Sequence, residues 1–155
     1  MTNKLNSSAE IYDNFANYYR KYSEKKMPYI RGVDQLVQEN LFMARSILDY
    51  GAGDGVRGAA LFSNLNAKFL CQVDISEKMV QKCTQLNVAN EVFNVLDKKW
   101  VNGLTKFDAC VSLWNVLGHV KGFNEKSEVL KTISQKLQPE GKLFIDVNNR
   151  YNQNY

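Results

Sequence analysis

The segment Asp49-Tyr50-Gly51-Ala52-Gly53-Asp54-Gly55 sets three glycines at every second position directly after a short apolar stretch. Glycine lets a backbone approach a ligand closely and turn sharply, and the start of the next helix offers unpaired N–H groups. Asp49 adds a carboxylate just before the turn, which disfavours a pyrophosphate and suits a cationic ligand. A second acid, Asp74, ends the apolar run from Ala67 to Val73. A carboxylate there can accept both hydrogen bonds of a ribose diol, with Ile75 placed to cover one face of a base. The alternative is an acid that only stabilises the dipole of the following helix. Gly53, Gly55 and Gly58 also spell G-x-G-x-x-G, with Asp74 about 20 residues on, which is the fingerprint of nicotinamide-dependent oxidoreductases. Against that reading, the apolar strand should run straight into the first glycine, whereas Tyr50-Gly51-Ala52 precedes Gly53. A third stretch, Ser112 to Val120, holds Asn115, able to orient a polar substrate atom, and His119. His119 is the only histidine, and a neutral imidazole can accept a proton near pH 7.

The surrounding pattern supplies the elements that must position these groups. An aromatic stripe (Ile11, Tyr12, Phe15, Tyr18, Tyr19, Tyr22) predicts a helix over 8–26, interrupted at Met27-Pro28, and a second helix carries Ile30, Val33, Leu36, Val37 and Leu41. From residue 46 short apolar strands alternate with amphipathic helices. Strands are expected over 46–50, 67–73, 92–96, 107–113 and 142–147, and helices over 56–65, 76–86 and 124–137, with Ser76 as an N-cap. This predicts an α/β fold, an open and mainly parallel Rossmann-like sheet of about five strands, order 3-2-1-4-5, wrapped by helices. Ligands of such sheets bind beyond the C-terminal strand ends at the switch in strand order, where the residues above fall. Residues 1–45 are expected to form a helical cap or lid and 46–155 the ligand-binding core.

Asp49-x-Gly51-x-Gly53-x-Gly55, followed nineteen residues later by Asp74-Ile75-Ser76-x-x-Met79, resembles the class I S-adenosylmethionine-dependent methyltransferases, of the type acting on small molecules. The resemblance runs from about residue 46 to 148, with Phe107-Asp108 opening strand four and Pro139-x-Gly141 before strand five. It implies S-adenosylmethionine as cofactor and S-adenosylhomocysteine as product. The backbone from Gly51 through Ala52 and Gly53 to Gly55 would line the methionine part of the cofactor, Asp49 would help hold its ammonium, and Asp74 its ribose. Ile75 and Met79 belong to the same motif. Asp97 matches the acid that receives the adenine amino group, with Leu96 beside it. Leu113 and Trp114 would offer backbone groups to the amino acid end, Asn115 and His119 would serve the acceptor, and Tyr19 with Tyr12 and Tyr18 resembles a lid over the sulfonium. Arg20 or Arg31 would pair with the cofactor carboxylate. The family's usual sheet has seven strands, and the last two are not found here, which leaves strand five as an edge open to dimerisation or strand addition. A truncated, non-catalytic cofactor-binding or interaction domain is therefore a further reading beside the oxidoreductase.

Composition narrows the classes. A chain of 155 residues that is 45% hydrophobic and 23% charged is a folded domain, not a disordered tract. No run approaches the roughly 20 apolar residues of a membrane span, and Met1 to Glu10 is polar, unlike a secretory leader. The net charge of +4 is scattered over the chain, so a dedicated nucleic-acid surface is not expected. Cys71, Cys83 and Cys110 form no C-x-x-C pair and read as reduced, buried thiols in a cytoplasmic protein, with no ligand cluster for a metal.

Overall fold

In the computed structural model, residues 5–103 and 105–148 are described. The chain opens with three helices, α1 (Leu5–Phe15), α2 (Tyr19–Glu24) and α3 (Met27–Leu41). It then alternates through β1 (Ser46–Tyr50), α4 (Val56–Leu65), β2 (Phe69–Asp74), α5 (Glu77–Leu86), β3 (Glu91–Asn94), α6 (Lys99–Asn102), β4 (Phe107–Ser112), α7 (Val116–His119), α8 (Phe123–Lys136) and β5 (Leu137–Ile145). The five strands form one sheet in the order β3-β2-β1-β4-β5, and every neighbouring pair is parallel. This is the Rossmann-like arrangement expected from the strand–helix alternation.

Side chains alternate across a strand, so each strand feeds both faces of the sheet. Ile47, Leu70, Ala109 and Val111 join Val37, Leu41, Leu61 and Leu65 in one core. Leu48, Cys71, Val73 and Cys110 join Trp100, Phe107 and Ile133 in the other. Two buried faces explain why the strands read as nearly continuous apolar runs. On the first face two polar side chains interrupt the core, Asp49 of β1 and Gln72 of β2, which are register partners. Burying them in this layer is costly unless they meet partners, and they mark where the site begins. All three cysteines are free and buried. No helix among the described residues is long and apolar enough to cross a membrane.

The structure differs from the sequence expectation at the ends. The single helix expected over 8–26 is two helices, broken after Phe15, where the Tyr18 amide donates to the Phe15 carbonyl and Ala16 is buried. The break swings Phe15, Tyr19 and Tyr22 into one aromatic group. Pro28 does not merely interrupt this arm. It stands in the first turn of α3, where its missing N–H goes unneeded. Pro139 to Gly141 lies inside β5 instead of ahead of it. The strand follows α8 directly and absorbs these residues as a register shift opposite Phe107 to Ala109, with Glu140 at φ 66°. The short α6 and α7 have no counterpart in the sequence reading.

Candidate functional site

The turn after β1 is built on its glycines. Gly51, Gly53 and Gly55 all have positive φ, and a side-chain carbon at Gly53 would lie 2.7 Å from the Tyr19 hydroxyl. Three hydrogen bonds fix the loop to β2: the amides of Gly51 and Ala52 donate to the Val73 carbonyl, and that of Gly53 to Asp74 Oδ2 at 2.8 Å. Beneath it, Gln72 Nε2 donates to the Gly55 carbonyl at 2.8 Å and to Asp49 Oδ2 at 3.1 Å. Gly58 completes the arrangement, because any β-carbon there would collide with Asp49 Oδ2. The third glycine of the apparent dinucleotide fingerprint thus makes room for a carboxylate.

Asp49, Gly51 and Ala52 line a cavity of about 170 Å3 at the C-terminal ends of β1 and β4. Tyr19, Arg20, Asp34, Asp54, Arg57, Leu113 and Trp114 also border it. Burial pushes the Asp49 carboxyl up to about 7, against the opposing help of the Gln72 amide and the Arg57 charge. The rings of Tyr19 and Trp114 meet at 5.5 Å, and Tyr22 stacks on Trp114 at 5.6 Å with 9° between planes. Trp114 and Asn115 both have positive φ, an unfavourable pair for residues with side chains. Asp146 holds them there, since its Oδ1 accepts the Asn115 amide at 2.7 Å while its Oδ2 accepts the Tyr29 hydroxyl at 3.0 Å.

On the other side of the loop lie the ends of β2 and β3. Asp74 is 8% exposed, and its Oδ1 accepts the Ser76 amide at 2.9 Å. Burial pushes its carboxyl up to about 6, partly offset by the backbone donors. Gly53, Ser76 and Ile75 all reach it through their backbone amides. Ile75 is half-buried beside it, whereas Met79 is wholly buried within α5. Leu96 is 61% exposed, and Asp97 accepts the Lys99 amide at the start of α6. Gly53, Gly55, Asp74, Ile75, Met79, Leu96, Asp97, Asn115 and His119 lie outside the lining of the cavity described above.

The N-terminal arm crosses this second region. Asp13 accepts from Ser76 Oγ at 2.5 Å and from the Lys78 amide at 3.1 Å. Ser76 Oγ in turn accepts the Met79 amide at 3.2 Å, the N-cap expected for α5. Ser76→Ala removes cap and anchor together and is expected to cost about 1–2 kcal/mol, read as a lowered thermal midpoint. At the far side, Tyr12 Oη and His119 Nε2 are 2.9 Å apart, and Ser8 Oγ donates to the His119 carbonyl at 3.2 Å. Partial burial lowers the His119 pKa, which favours the neutral ring. Burial first and Asp74 second raise the Tyr12 pKa.

Two groups at the site were missed in the sequence, Arg57 and Asp34, and Asp146, readable there as an alternative proton acceptor, is instead the clamp on Asn115. Arg57 stands two residues after the last glycine of the turn, but its partner Asp34 is on α3 and its Nε–Oδ1 contact of 2.7 Å is a tertiary fact. Of the two arginines favoured for a cofactor carboxylate, Arg31 is exposed and absent from the cavity lining. Arg20 lines it but spends Nε and Nη2 on Asp54 Oδ2, at 3.0 and 2.8 Å.

Residues 19–154 match a family described as a methyltransferase domain. The chain belongs to that family. The match removes the oxidoreductase alternative, in line with the carboxylate beneath the loop. Solved structures share the methyltransferase-domain fold. The sugar N-methyltransferase KedS8 from Streptoalloteichus sp. aligns with TM-score 0.67 and 21% identity, over 86% of this chain and 53% of that one. CalS10, an amino pentose methyltransferase from Micromonospora echinaspora solved with bound S-adenosylmethionine, aligns with TM-score 0.68 and 16% identity, over 85% and 56%. A DhpI complex with S-adenosylmethionine aligns with TM-score 0.71 and 18% identity, over 97% and 69%. The chain thus spans little more than half the length of the first two. No curated protein sequence matches it significantly.

Proposed function

We propose that this methyltransferase domain binds S-adenosylmethionine at the Gly51–Gly55 loop and directs methyl transfer to a small-molecule acceptor, with an amine as the preferred nucleophile. The observation that carries the reading is the cavity beside Gly51 and Ala52, where a buried carboxylate, Asp49, faces a space walled by the rings of Tyr19 and Trp114. A carboxylate and aromatic faces are the partners of an ammonium and a sulfonium. Family membership and the sugar and amino-sugar methyltransferases that share the fold support the acceptor class.

The bound cofactor supplies a methyl group already activated on a positively charged sulfur. The protein's own part is alignment and the exclusion of water. Asp49 would hold the amino group and Asp74 the ribose hydroxyls, while Tyr19 and Trp114 screen the cavity. Tyr12 and His119 then form the proton route. An acceptor N–H gives its proton to the Tyr12 oxygen as the Tyr12 proton passes to His119 Nε2, leaving an imidazolium. The lowered His119 pKa keeps that nitrogen open before the step. Asn115, held by its backbone bond to Asp146 next to Trp114, would orient a polar atom of the acceptor. Three free, buried thiols suit a cytoplasmic protein.

Mass spectrometry of a panel of small amines, amino sugars included, incubated with the chain and S-adenosylmethionine tests the reading. A singly methylated product is expected. His119→Asn is expected to lower kcat roughly a hundredfold and to flatten the acidic limb of its pH profile. Tight S-adenosylhomocysteine binding without product from any acceptor would instead mark a non-catalytic cofactor-binding domain.

A further inference from the structure

β5 ends the sheet on its side, and among the described residues no strand pairs with its outer edge. Cys110, Val111 and Ser112 of β4 are buried, whereas their register partners Leu143, Phe144 and Ile145 on β5 are only half-buried. The Asp146 amide donates to the Ser112 carbonyl at 3.4 Å. Peptide groups turn to alternate sides along a strand, so those of Lys142, Phe144 and Asp146 face β4 and those of Leu143 and Ile145 face outward. Such an edge is a template for another strand. α3 lies along it on one face. Tyr29 Oη donates to Asp146 Oδ2 at 3.0 Å, Lys142 Nζ donates to the Asn40 carbonyl at 2.9 Å, and Phe144 packs against the core that holds Val37 and Leu41. Tyr29 and Leu36, two turns apart on this helix, are exposed, and so is Met43 just past its end, beside Pro139 and Lys142. An apolar stripe therefore flanks the open edge from Asp146 to Pro139.

We propose that this edge is a self-association surface whose occupant is a second copy of the chain, joined β5 to β5, antiparallel, about a two-fold axis at Phe144. Opposed residues in such a pair must both turn their peptide groups to the partner or both away from it, so the axis passes through a residue and not between two. Within the regular stretch 142–145, an axis at Lys142 would oppose like charges, and one at Leu143 or Ile145 would set a charge against Phe144. The axis at Phe144 alone sets Lys142 of one copy opposite Asp146 of the other, twice over, with Leu143 opposite Ile145. Opposite charges stabilise a cross-strand pair and like charges weaken it. Because α3 passes Asp146 at Tyr29 and Lys142 at Asn40, Leu36 stands about level with Phe144, near the axis. The same rotation brings Leu36 towards Leu36 and Tyr29 towards Met43, and it joins the two five-stranded sheets into one. Assembly also reaches the site, since Asp146 holds both Asn115 and Tyr29.

Sedimentation equilibrium of the intact chain at micromolar concentration is expected to give twice the chain mass. Leu36→Glu and Lys142→Glu, both at exposed positions, should each raise the dissociation constant roughly tenfold or more, because each change counts twice across the axis. Far-ultraviolet circular dichroism should be unchanged in both. Cross-linking gives a second readout that does not depend on either glutamate variant folding. The three native cysteines are buried, so a short bis-maleimide should join two copies of Leu36→Cys but neither the unaltered chain nor Leu86→Cys, which stands on α5 beside β2 and β3. A monomer at every concentration overturns the proposal. So does a dimer that both glutamate variants leave intact, or one that cross-links as readily through Leu86→Cys as through Leu36→Cys.

Discussion

Raising the pH from about 6 to about 8 is expected to tighten S-adenosylhomocysteine binding about tenfold, with a proton released on binding below neutrality. The cause is Asp49. Its carboxyl is pushed up to about 7 in the free protein, so near pH 6 most molecules hold it neutral. A neutral acid cannot meet an ammonium as an ion pair, and binding must first strip its proton. Stability of the free chain runs the other way. A folded pKa raised above the unfolded value of 3.8 gives stability that is complete below about pH 4 and lost as pH rises through 7. Asp74, pushed up to about 6, adds to the same trend over a lower window. Asp49→Asn should therefore raise the thermal midpoint of the free protein at pH 8 and leave it nearly unchanged at pH 5. The same variant should bind weakly and lose most of the pH dependence of its affinity. Calorimetry in buffers of different ionisation enthalpy counts the released proton, and a flat affinity across this range would remove Asp49 from the ammonium contact.

The second large effect belongs to Asp74. Asp74→Ala should weaken S-adenosylhomocysteine binding by roughly 1.5–3 kcal/mol, the worth of charge-assisted hydrogen bonds to hydroxyls. It should weaken 5′-deoxy-5′-methylthioadenosine, which keeps the nucleoside but lacks the amino acid end, to the same degree, because the ribose is common to both. The variant also unties the loop, since Asp74 accepts the amides of Gly53 and Ser76. A lower melting point is thus expected alongside the lost affinity. Asp74→Asn, which retains an acceptor oxygen, should recover part of the melting point but little of the binding. An unchanged affinity in Asp74→Ala would exclude the residue from the site.

The strand order was legible because each strand announces itself by an apolar run and each crossover by a helical stripe. Val56 to Leu65 and Ser46 to Tyr50 fall where periodicity puts them. What escaped was set by contacts distant in sequence. The break in the N-terminal arm depends on Trp114, which gathers Tyr19 and Tyr22. The early start of β5 depends on pairing with Phe107, which overrides the proline–glycine signal. Within the site, glycine spacing and the two acids were readable because backbone geometry demands them locally. The Arg57–Asp34 contact was not, since a charged residue on an amphipathic helix is as easily solvated as paired. On α8, Leu130 is 37% exposed whereas Ile133 three residues on is fully buried, so the inward stripe of that helix is narrow.

The N-terminal arm is fastened at two points of the sheet's rim, at Ser76 after β2 through Asp13 and at His119 after β4 through Tyr12 and Ser8. Between them the Tyr19 side chain rests against Gly53. On the proposed reading, a nucleoside at Asp74 would sit beside these fastenings, and its residence time would follow how often the arm unlatches. Substitutions that loosen the arm are then expected to speed exchange more than they alter equilibrium occupancy.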